Sequence, residues 1–292
     1  MNILCDIEYP LNQKELHGWG KAFSSIGYNF LFLNRKEKAI LDAFEEKKPI
    51  IFITHSSLLN RASCKAIKNN PYCKTFIFID SEEDKEKIKN QENVFYISKN
   101  KDVESFFIEE SCDFYLCLRP KTNINMISDI CYVGDYVEES IFSKCFSVLK
   151  VKCWGNTKWP FTTYLGKIKS EKIKDAICSS TMSLYVDEFN NKSWSLYTYV
   201  CNRPVISYNS AWLKNFLVDK SLCFSREEDF FENLLNIIRN PEMAYENVKV
   251  NSQFIKNNHL SHHRVSDILN IAGFKEDSIK CMNVVTDLIK KY

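Results

Sequence analysis

The sequence predicts an α/β protein with two doubly wound, Rossmann-like domains that face each other across a cleft and a C-terminal helix that packs back. Short apolar runs alternate with helical stretches from the first residue, as parallel strands joined by crossover helices require. A second alternation of this kind begins after the polar segment 121–125, which follows a proline. The 292 residues, with 45% hydrophobic content, are sufficient for two cores.

The first alternation predicts a parallel sheet whose strands are connected by helices. The predicted strands are 3–7, 30–33, 50–54, 75–79, 94–97 and 114–118. The predicted helices are 13–26, 37–46, 58–68, 82–89 and 103–110. We therefore expect an N-terminal domain over residues 1–122.

The second alternation predicts a further parallel sheet and then a run of helices. Its predicted strands are 130–133, a strand ending at Trp154, 181–186, 205–208 and 222–224. The later predicted helices are 227–239, 241–257, 261–270 and 277–290, the last with an apolar stripe from Ile279 to Ile289. These elements predict a second domain over residues 123–274 and a terminal helix, 275–292, that returns towards the first domain.

Composition excludes some classes of protein. No apolar run approaches the ~18 to 20 residues of a membrane span, and the first residues lack a charged leader before an apolar stretch, so we expect a cytoplasmic protein. The twelve cysteines lie mostly inside apolar runs, which favours buried, reduced thiols. No Cys-x-x-Cys pair occurs, and we predict no metal site. A net charge of +2 neither requires nor excludes a polyanionic partner.

Several short motifs follow one another in the second half of the chain. They are Val133-Gly134-Asp135-Tyr136, Trp154-Gly155-Asn156, Lys158-Trp159-Pro160, Gly166-Lys167-Ile168 and the stretches 183–186 and 193–206. In order and spacing this half resembles the nucleotide-binding domain of CgeB-type spore-protein glycosyltransferases. It resembles more closely the phage enzymes that glucosylate hydroxymethylated DNA bases. The resemblance spans residues 129–269 and implies the two-domain glycosyltransferase architecture called GT-B.

The resemblance implies a nucleotide-sugar site in the second domain. Gly134 would let the main chain approach a diphosphate, and Gly155 and Gly166 belong to the same set of turns. The main chain at Lys167 and Ile168 would pair with the edge of the donor base, which needs no particular side chain. For either Gly134 or Gly166 alone, an ordinary turn is the simpler interpretation.

The sequence also departs from the resembled pattern. Trp194 stands where those enzymes have an arginine against the donor phosphates, and Tyr197 stands where they have a glutamate on the ribose. Asp135 and the acidic segment 137–139 replace arginines, and carboxylates repel a diphosphate. The Tyr197 hydroxyl can still bond a ribose. Cations on loops that could replace the arginine are Arg203, Lys158, Lys167, Arg119 and Lys121.

An inverting transferase needs a base for the acceptor hydroxyl, on the first domain. Asp80 ends an apolar strand and opens a loop, as the catalytic aspartate of the resembled phage enzymes does. His55, after the strand 50–54, is the alternative, because a neutral imidazole is a base near pH 7. Simpler interpretations are a helix N-cap for Asp80 and a capped strand end for His55.

Other residues of the first half and the helical tail have less specific interpretations. Glu8 and His17 are expected to contribute to the same catalytic site from a greater distance. Trp19 lies between two glycines and would stack on a base or sugar, although a core tryptophan is more common. His262 and His263 are expected on a helix surface.

Together these features predict a metal-independent, inverting glycosyltransferase with a nucleotide sugar, most simply a UDP-sugar, as co-substrate and no cofactor. The leading acceptor is a hydroxymethylated base in double-stranded DNA, as in phage DNA modification, which requires flipping of the base. A surface glycan or a protein is the second acceptor. The alternative from another class is a GT-B binding protein that has lost catalysis, and a periplasmic-type sensor is a third.

Overall fold

The structure is a computed structural model that describes residues 1–7, 13–33, 40–88, 91–118, 121–135, 140–156, 158–160, 163–186 and 192–292. The chain folds into two compact units. Unit 1 consists of Met1–Ser111 and Ser261–Tyr292, and unit 2 consists of Cys112–Leu260. Each unit contains one parallel sheet with helices, which makes both units α/β.

Unit 1 has a six-stranded sheet in the order β2-β1-β3-β4-β5-β6, and every neighbouring pair is parallel. The strands are β1 Asn2–Asp6, β2 Asn29–Phe32, β3 Ile51–His55, β4 Lys74–Phe78, β5 Val94–Ser98 and β6 Phe106–Phe107. Its first helices are α1 Gln13–Ser25, α2 Ile40–Lys47 and α3 Arg61–Asn69, with 3-10 turns at Ser56–Leu58 and Glu82–Lys87.

Both faces of this sheet are covered, because successive strand residues point to opposite sides. On β1, Ile3 packs into a core that contains Trp19 of α1, whereas Leu4 packs into a second core with Phe44 of α2 and Ile67 of α3. The apolar runs that form β1, β3 and β4 are therefore strands buried on two sides.

Unit 2 has a five-stranded parallel sheet in the order β11-β10-β9-β7-β8. The strands are β7 Ser128–Val133, β8 Val151–Trp154, β9 Ser180–Val186, β10 Val205–Tyr208 and β11 Cys223–Phe224. The helices are α4 Ser140–Val148, α5 Ile173–Cys178, α6 Lys192–Val200, α7 Ala211–Phe216, α8 Glu227–Arg239 and α9 Tyr245–Asn258. Further 3-10 turns lie at Phe114–Cys117, Ile124–Met126, Ser170–Lys172 and Pro241–Ala244.

The last two helices, α10 Ser261–Ile271 and α11 Lys275–Lys291, belong to unit 1. Val265 and Leu269 of α10 are fully buried in the core that contains Trp19. The expected boundary after residue 274 therefore lies earlier, after Leu260. On α11 the buried residues are Cys281 and Val285, whereas Ile279, which the sequence placed in the apolar stripe, is 62% exposed.

The other boundary also differs from the expected position after residue 122, and residues 112–118 belong to unit 2. The Asp113 N–H donates to the Tyr197 hydroxyl at 3.2 Å, and the Cys117 thiol lies 3.9 Å from the Tyr197 carbonyl oxygen. These contacts attach the segment to α6 of unit 2.

Two elements near this boundary were predicted wrongly. The expected helix 103–110 contains the edge strand β6, because Phe106 and Phe107 pair in register with Ile97 and Ser98. The expected strand 114–118 is a 3-10 turn whose start is capped by Asp113, since its carboxylate accepts the Tyr115 N–H at 2.9 Å. The aromatic side chains of Phe106 and Phe107 favour a strand over the expected helix. The cap from Asp113 favours a turn over the strand that the apolar run predicted.

Three general findings concern the residues that the structure describes. None of the helices in these ranges is both long and apolar enough to cross a membrane. The same ranges contain no group of three or more His, Cys, Asp or Glu side chains arranged to hold a metal ion. All twelve cysteines are free thiols, and most of them are buried.

Candidate active site

The order of strands in unit 1 brings two polar residues to one place. The chain leaves β1 for β2 on one side and reaches β3 on the other, so the strand order reverses between β1 and β3. Ligands of open parallel sheets bind at such a switch point, outside the carboxyl ends of the strands. His55 is the last residue of β3, and Asp80 follows β4, which is the neighbour of β3.

The structure places these two side chains in contact. The His55 Nε2 atom lies 3.4 Å from Asp80 Oδ2. The imidazole is 4% exposed and the carboxylate 56% exposed. The two residues that the sequence offered as rival bases therefore form one pair, in which the aspartate faces solvent and the histidine lies behind it.

Hydrogen bonds to His55 determine which ring nitrogen carries the proton. The Ser57 backbone N–H donates to His55 Nδ1 at 3.1 Å, and the Ser57 hydroxyl lies 2.7 Å from the same atom. A backbone N–H can only donate, so Nδ1 of the neutral ring is the acceptor and the hydrogen is on Nε2, the nitrogen that lies 3.4 Å from Asp80 Oδ2. The lone pairs available to a substrate are consequently those of the Asp80 carboxylate.

The simpler interpretation of Asp80 as a helix cap does not apply. Ser81 is the N-cap of the following 3-10 turn, and it forms a reciprocal capping box with Asp84. The Asp84 carboxylate also accepts the Asp80 N–H at 3.1 Å. The Asp80 side chain is thus free of a capping role, whereas His55 does cap the turn Ser56–Leu58.

The more remote candidates of unit 1 have different positions. Trp19 lies inside α1, is fully buried and packs 6.3 Å from the ring of Phe78, so it is a core residue. His17 is on the exposed side of α1. Glu8 lies outside the described residues.

His262 and His263 are not on a helix surface, as the sequence suggested, but are buried on α10. Burial, together with the neighbouring His263, lowers the pKa of His262 to about 4, so this ring is neutral at pH 7.

A second charged group in unit 1 follows β5. The Lys99 ammonium lies 2.9 Å from both oxygens of Glu15 and 2.7 Å from Glu110 Oε2. Glu15 is on α1 and is 1% exposed. Burial raises the pKa of Glu15 to about 7, with Glu110 acting in the same direction and Lys99 opposing it. Two carboxylates, of which that of Glu15 is buried, thus share one half-buried cation.

In unit 2 the order of strands reverses between β7 and β9. Gly134 and Asp135 follow β7, and Gly155 follows β8, so three of the predicted donor-binding residues lie at the carboxyl edge of the sheet. Asp135 is exposed, and its Oδ1 accepts the Asn156 N–H at 3.2 Å. That bond links the loops after β7 and β8.

The segment before Gly166 extends the sheet beyond β8. The Leu165 N–H donates to the Cys153 carbonyl at 2.9 Å, and the Gly155 N–H donates to the Gly166 carbonyl at 3.2 Å. Gly166 has φ +82°, a conformation that favours glycine. A Cβ atom on Gly155 would lie 2.2 Å from the Gly134 carbonyl oxygen, so only glycine fits there.

Beyond this edge the main chain is available for a ligand. Within the described ranges, the backbone groups of Lys167 and Ile168 make no hydrogen bonds to other residues. Lys167 is exposed and Ile168 is half-buried. Lys158 is exposed on the neighbouring loop, next to Trp159, which is buried beneath Gly134 and donates its Nε1–H to the Gly134 carbonyl at 3.4 Å.

Three predicted donor-binding side chains are not at this surface. Trp194 and Tyr197 lie on α6 with exposures of 1% and 0%. The Tyr197 hydroxyl accepts the Asp113 N–H, and burial raises its pKa well above the usual range. The expected ribose contact of Tyr197 is therefore wrong, because the matching of positions by spacing carries no information about burial.

Arg203 lies at the opposite edge of the sheet, since it precedes β10 and parallel strands all begin at the same edge. Its Nη2 donates to the Cys178 carbonyl at 3.0 Å, at the C-terminus of α5. With Lys150 and Tyr245 it lines a cavity of about 590 Å³. Lys121 precedes β7 and lies at that edge too, and Arg119 lies outside the described residues.

The structure also reveals two residues at the carboxyl edge that sequence reasoning missed. Lys192 begins α6 after β9, and Trp212 lies on α7 after β10. The Lys192 ammonium lies 5.5 Å from the centroid of the Trp212 ring. No sequence signal connects them, because their contact depends on β9 and β10 being neighbours.

Comparison with known proteins agrees with this architecture. No protein-family model and no curated protein sequence matches the chain. Solved structures do match over its full length. The phage DNA-modifying enzyme β-glucosyltransferase, studied with and without its substrate uridine diphosphoglucose, has a TM-score of 0.54 at 14% identity, covering 99% of this chain and 100% of its own. This chain has the GT-B fold.

Two other GT-B structures match at similar levels. Sucrose-phosphate synthase from Thermosynechococcus elongatus has a TM-score of 0.57 at 9% identity. HepE of Anabaena, in complex with UDP and glucose, has a TM-score of 0.52 at 8% identity. Both alignments cover 100% of both chains. The predicted GT-B fold is confirmed, and at these identities the likeness shows the fold alone.

Proposed function

We propose that the protein is a glycosyltransferase that moves a sugar from a nucleotide-sugar donor to an acceptor hydroxyl. The observation that carries the proposal is the Asp80–His55 pair beside the switch point of unit 1, in a chain whose whole length matches GT-B structures. An exposed carboxylate backed by a buried imidazole is suited to proton abstraction from a hydroxyl.

Unit 2 would bind the donor. The carboxyl edge around Gly134 and Gly155 admits close approach to the main chain, and the free backbone at Lys167 and Ile168 can pair with a nucleobase. A UDP-sugar is the proposed co-substrate, since β-glucosyltransferase has uridine diphosphoglucose as substrate and HepE was solved with UDP. The proposal includes no metal and no cofactor.

The reaction would be a direct displacement. The Asp80 carboxylate accepts the proton of the acceptor hydroxyl as that oxygen attacks the anomeric carbon of the sugar. The bond from this carbon to the phosphate oxygen breaks, and the nucleoside diphosphate leaves with the electron pair. Attack opposite the leaving group inverts the anomeric configuration, and cations of the protein stabilise the charge that develops on the diphosphate.

The leading acceptor is a hydroxymethylated base in double-stranded DNA. It is supported by the motif order of the second half and by the likeness of the whole chain to the DNA-modifying β-glucosyltransferase. A surface glycan or a protein is the second acceptor class. The DNA acceptor would require the target base to leave the duplex before transfer.

Thermal denaturation with a panel of nucleotide sugars tests the donor. A ligand at ~100 times its dissociation constant stabilises the folded state by ~2.7 kcal/mol, which raises the unfolding temperature measurably. We expect a UDP-sugar to give such a rise. Incubation of the stabilising donor with hydroxymethylated DNA, plain DNA and a glycan then identifies the acceptor by mass spectrometry of the product.

A second candidate function is a GT-B binding protein without catalysis. It is favoured by the burial of Trp194 and Tyr197, which removes both side chains from any donor. In that case a nucleotide sugar would stabilise the protein without being consumed, or no member of the panel would change the unfolding temperature.

A further inference from the structure

A donor diphosphate in unit 2 needs a cation, and neither the position of the expected arginine nor Arg203 supplies one at the carboxyl edge. Trp194 occupies the expected position of the arginine and is buried, and Arg203 lies at the amino edge. The neighbouring Asp135 adds a negative charge after β7. Lys158 and Lys167 remain from the sequence candidates, and both lie on exposed loops on the β8 side of the sheet.

Lys192 lies on the other side of the switch point. It is the first residue of α6, which follows β9, and β9 neighbours β7. Its side chain is exposed, whereas the rest of α6, Ser193–Val200, is buried. The helix therefore presents one charged side chain at the edge of the sheet that carries Gly134 and Asp135.

The aromatic ring of Trp212 holds the Lys192 ammonium. The Nζ atom lies 5.5 Å from the centroid of that ring, within the range of a cation–π contact. The indole is itself fixed, since it stacks on Phe216 at 4.8 Å with an interplanar angle of 20° and lies 5.9 Å from Tyr185. Tyr185 is on β9, so the ring is anchored to the same strand that precedes Lys192.

Among the described residues this lysine has no ion-pair partner, and its ammonium contacts the Trp212 ring. Other lysines of unit 2 are engaged differently. Lys144 pairs with Glu227, and Lys172 lies 3.4 Å from Asp175. An ammonium on an aromatic face is attracted electrostatically by the ring, which does not accept hydrogen bonds from all three of its N–H groups. The remaining N–H groups can therefore donate to an anion.

We infer that Lys192, held by Trp212, binds the diphosphate of the donor nucleotide in place of the missing arginine. This inference rests on the proposed function and specifies a phosphate-binding residue that neither the motif order nor residue spacing indicated. As a point charge, a lysine gives less directional recognition than a bidentate arginine, so it discriminates by charge and reach.

Isothermal titration calorimetry with UDP and with uridine tests the assignment. Lys192→Ala is expected to weaken UDP binding by roughly tenfold to a hundredfold, because one charge-assisted hydrogen bond is lost. Uridine binding should not change, since it carries no phosphate. Lys192→Arg should retain most of the UDP affinity, and Trp212→Leu should lose part of it because the ammonium is no longer held.

The matched control is Lys150→Ala, which removes an exposed lysine at the opposite edge of the same sheet and should leave both affinities unchanged. Full UDP affinity in Lys192→Ala, with the loss found instead in Lys158→Ala or Lys167→Ala, would overturn the inference while leaving the proposed function intact. Failure of the wild-type protein to bind any nucleotide or nucleotide sugar would overturn the proposed function and this inference together.

Discussion

The carboxyl edges of the two sheets use different chemistry. In unit 1 the edge bears ionisable side chains, namely the Asp80–His55 pair and the buried group around Lys99. In unit 2 it contains closely packed glycine turns, with Gly155 pressed against the Gly134 carbonyl, beside the exposed side chains of Asp135 and Lys192. The same parallel topology thus presents an ionisable pair at one edge and close contacts between main-chain turns at the other. Unit 1 should be sensitive to changes of charge and unit 2 to added atoms.

The largest expected loss of stability comes from a change of charge in unit 1. Lys99→Met leaves the carboxylates of Glu15 and Glu110 without their shared cation, and removal of one partner from a buried ion pair costs about 3–5 kcal/mol. Urea denaturation at pH 7 measures this loss. The control is Lys68→Met on the exposed side of α3, which should change stability by less than about 0.5 kcal/mol. Equal stabilities of the two variants would contradict the assignment of Lys99.

The second largest expected loss of stability comes from adding a Cβ atom in unit 2. Gly155→Ala places a Cβ atom 2.2 Å from the Gly134 carbonyl oxygen, and such overpacking against the main chain should cost about 3 kcal/mol. Gly166→Ala is the matched control, because it has open space but φ +82°, and it should cost about 1 kcal/mol. Chemical denaturation of both variants gives the difference, and equal losses would show that the loops relax around Gly155.

A smaller expected effect is on the pH dependence of stability, and it comes from the buried carboxyl group of Glu15 in unit 1. Burial raises the pKa of Glu15 from 4.5 to about 7, so between these values the folded protein keeps a proton that the unfolded chain has lost. This residue's contribution to stability therefore falls as the pH rises through that window, by at most ~1.4 kcal/mol per pH unit. Glu15→Gln should remove this component. Urea denaturation of both proteins at several pH values tests it, and parallel dependences would refute it.

Much of the fold could be predicted from the sequence, because both sheets consist of apolar strands that alternate with helices. The exceptions lie where local interactions outweigh the pattern. Residues 103–118 read as a helix and a strand, but Phe106 pairs with Ile97 at the sheet edge and Asp113 caps a 3-10 turn. The second domain boundary differs from the expected one because α10 buries its apolar residues in the core of unit 1. Periodicity does not reveal such a long-range contact.

The sequence predicted the candidate site only for residues at or just after the carboxyl end of a strand. His55 and Asp80 each follow an apolar strand, so the parallel topology brings them to one edge, although their contact needs β3 and β4 to be neighbours. Trp194 and Tyr197 were assigned by counting residues, which cannot distinguish a buried face of a helix from an exposed one. The Lys192–Trp212 contact joins residues twenty positions apart through two neighbouring strands, and no local pattern specifies it.

The central claim is that unit 1 supplies the base while unit 2 binds the donor, and Asp80→Asn tests it most directly. Donor affinity from calorimetry and the transfer rate to the identified acceptor should be measured on the same preparation, with Glu83→Gln, an exposed acid of the next turn, as control. We predict unchanged donor affinity and a kcat lowered by about 10²–10⁴-fold in Asp80→Asn alone. A variant that transfers sugar at the wild-type rate would contradict the account.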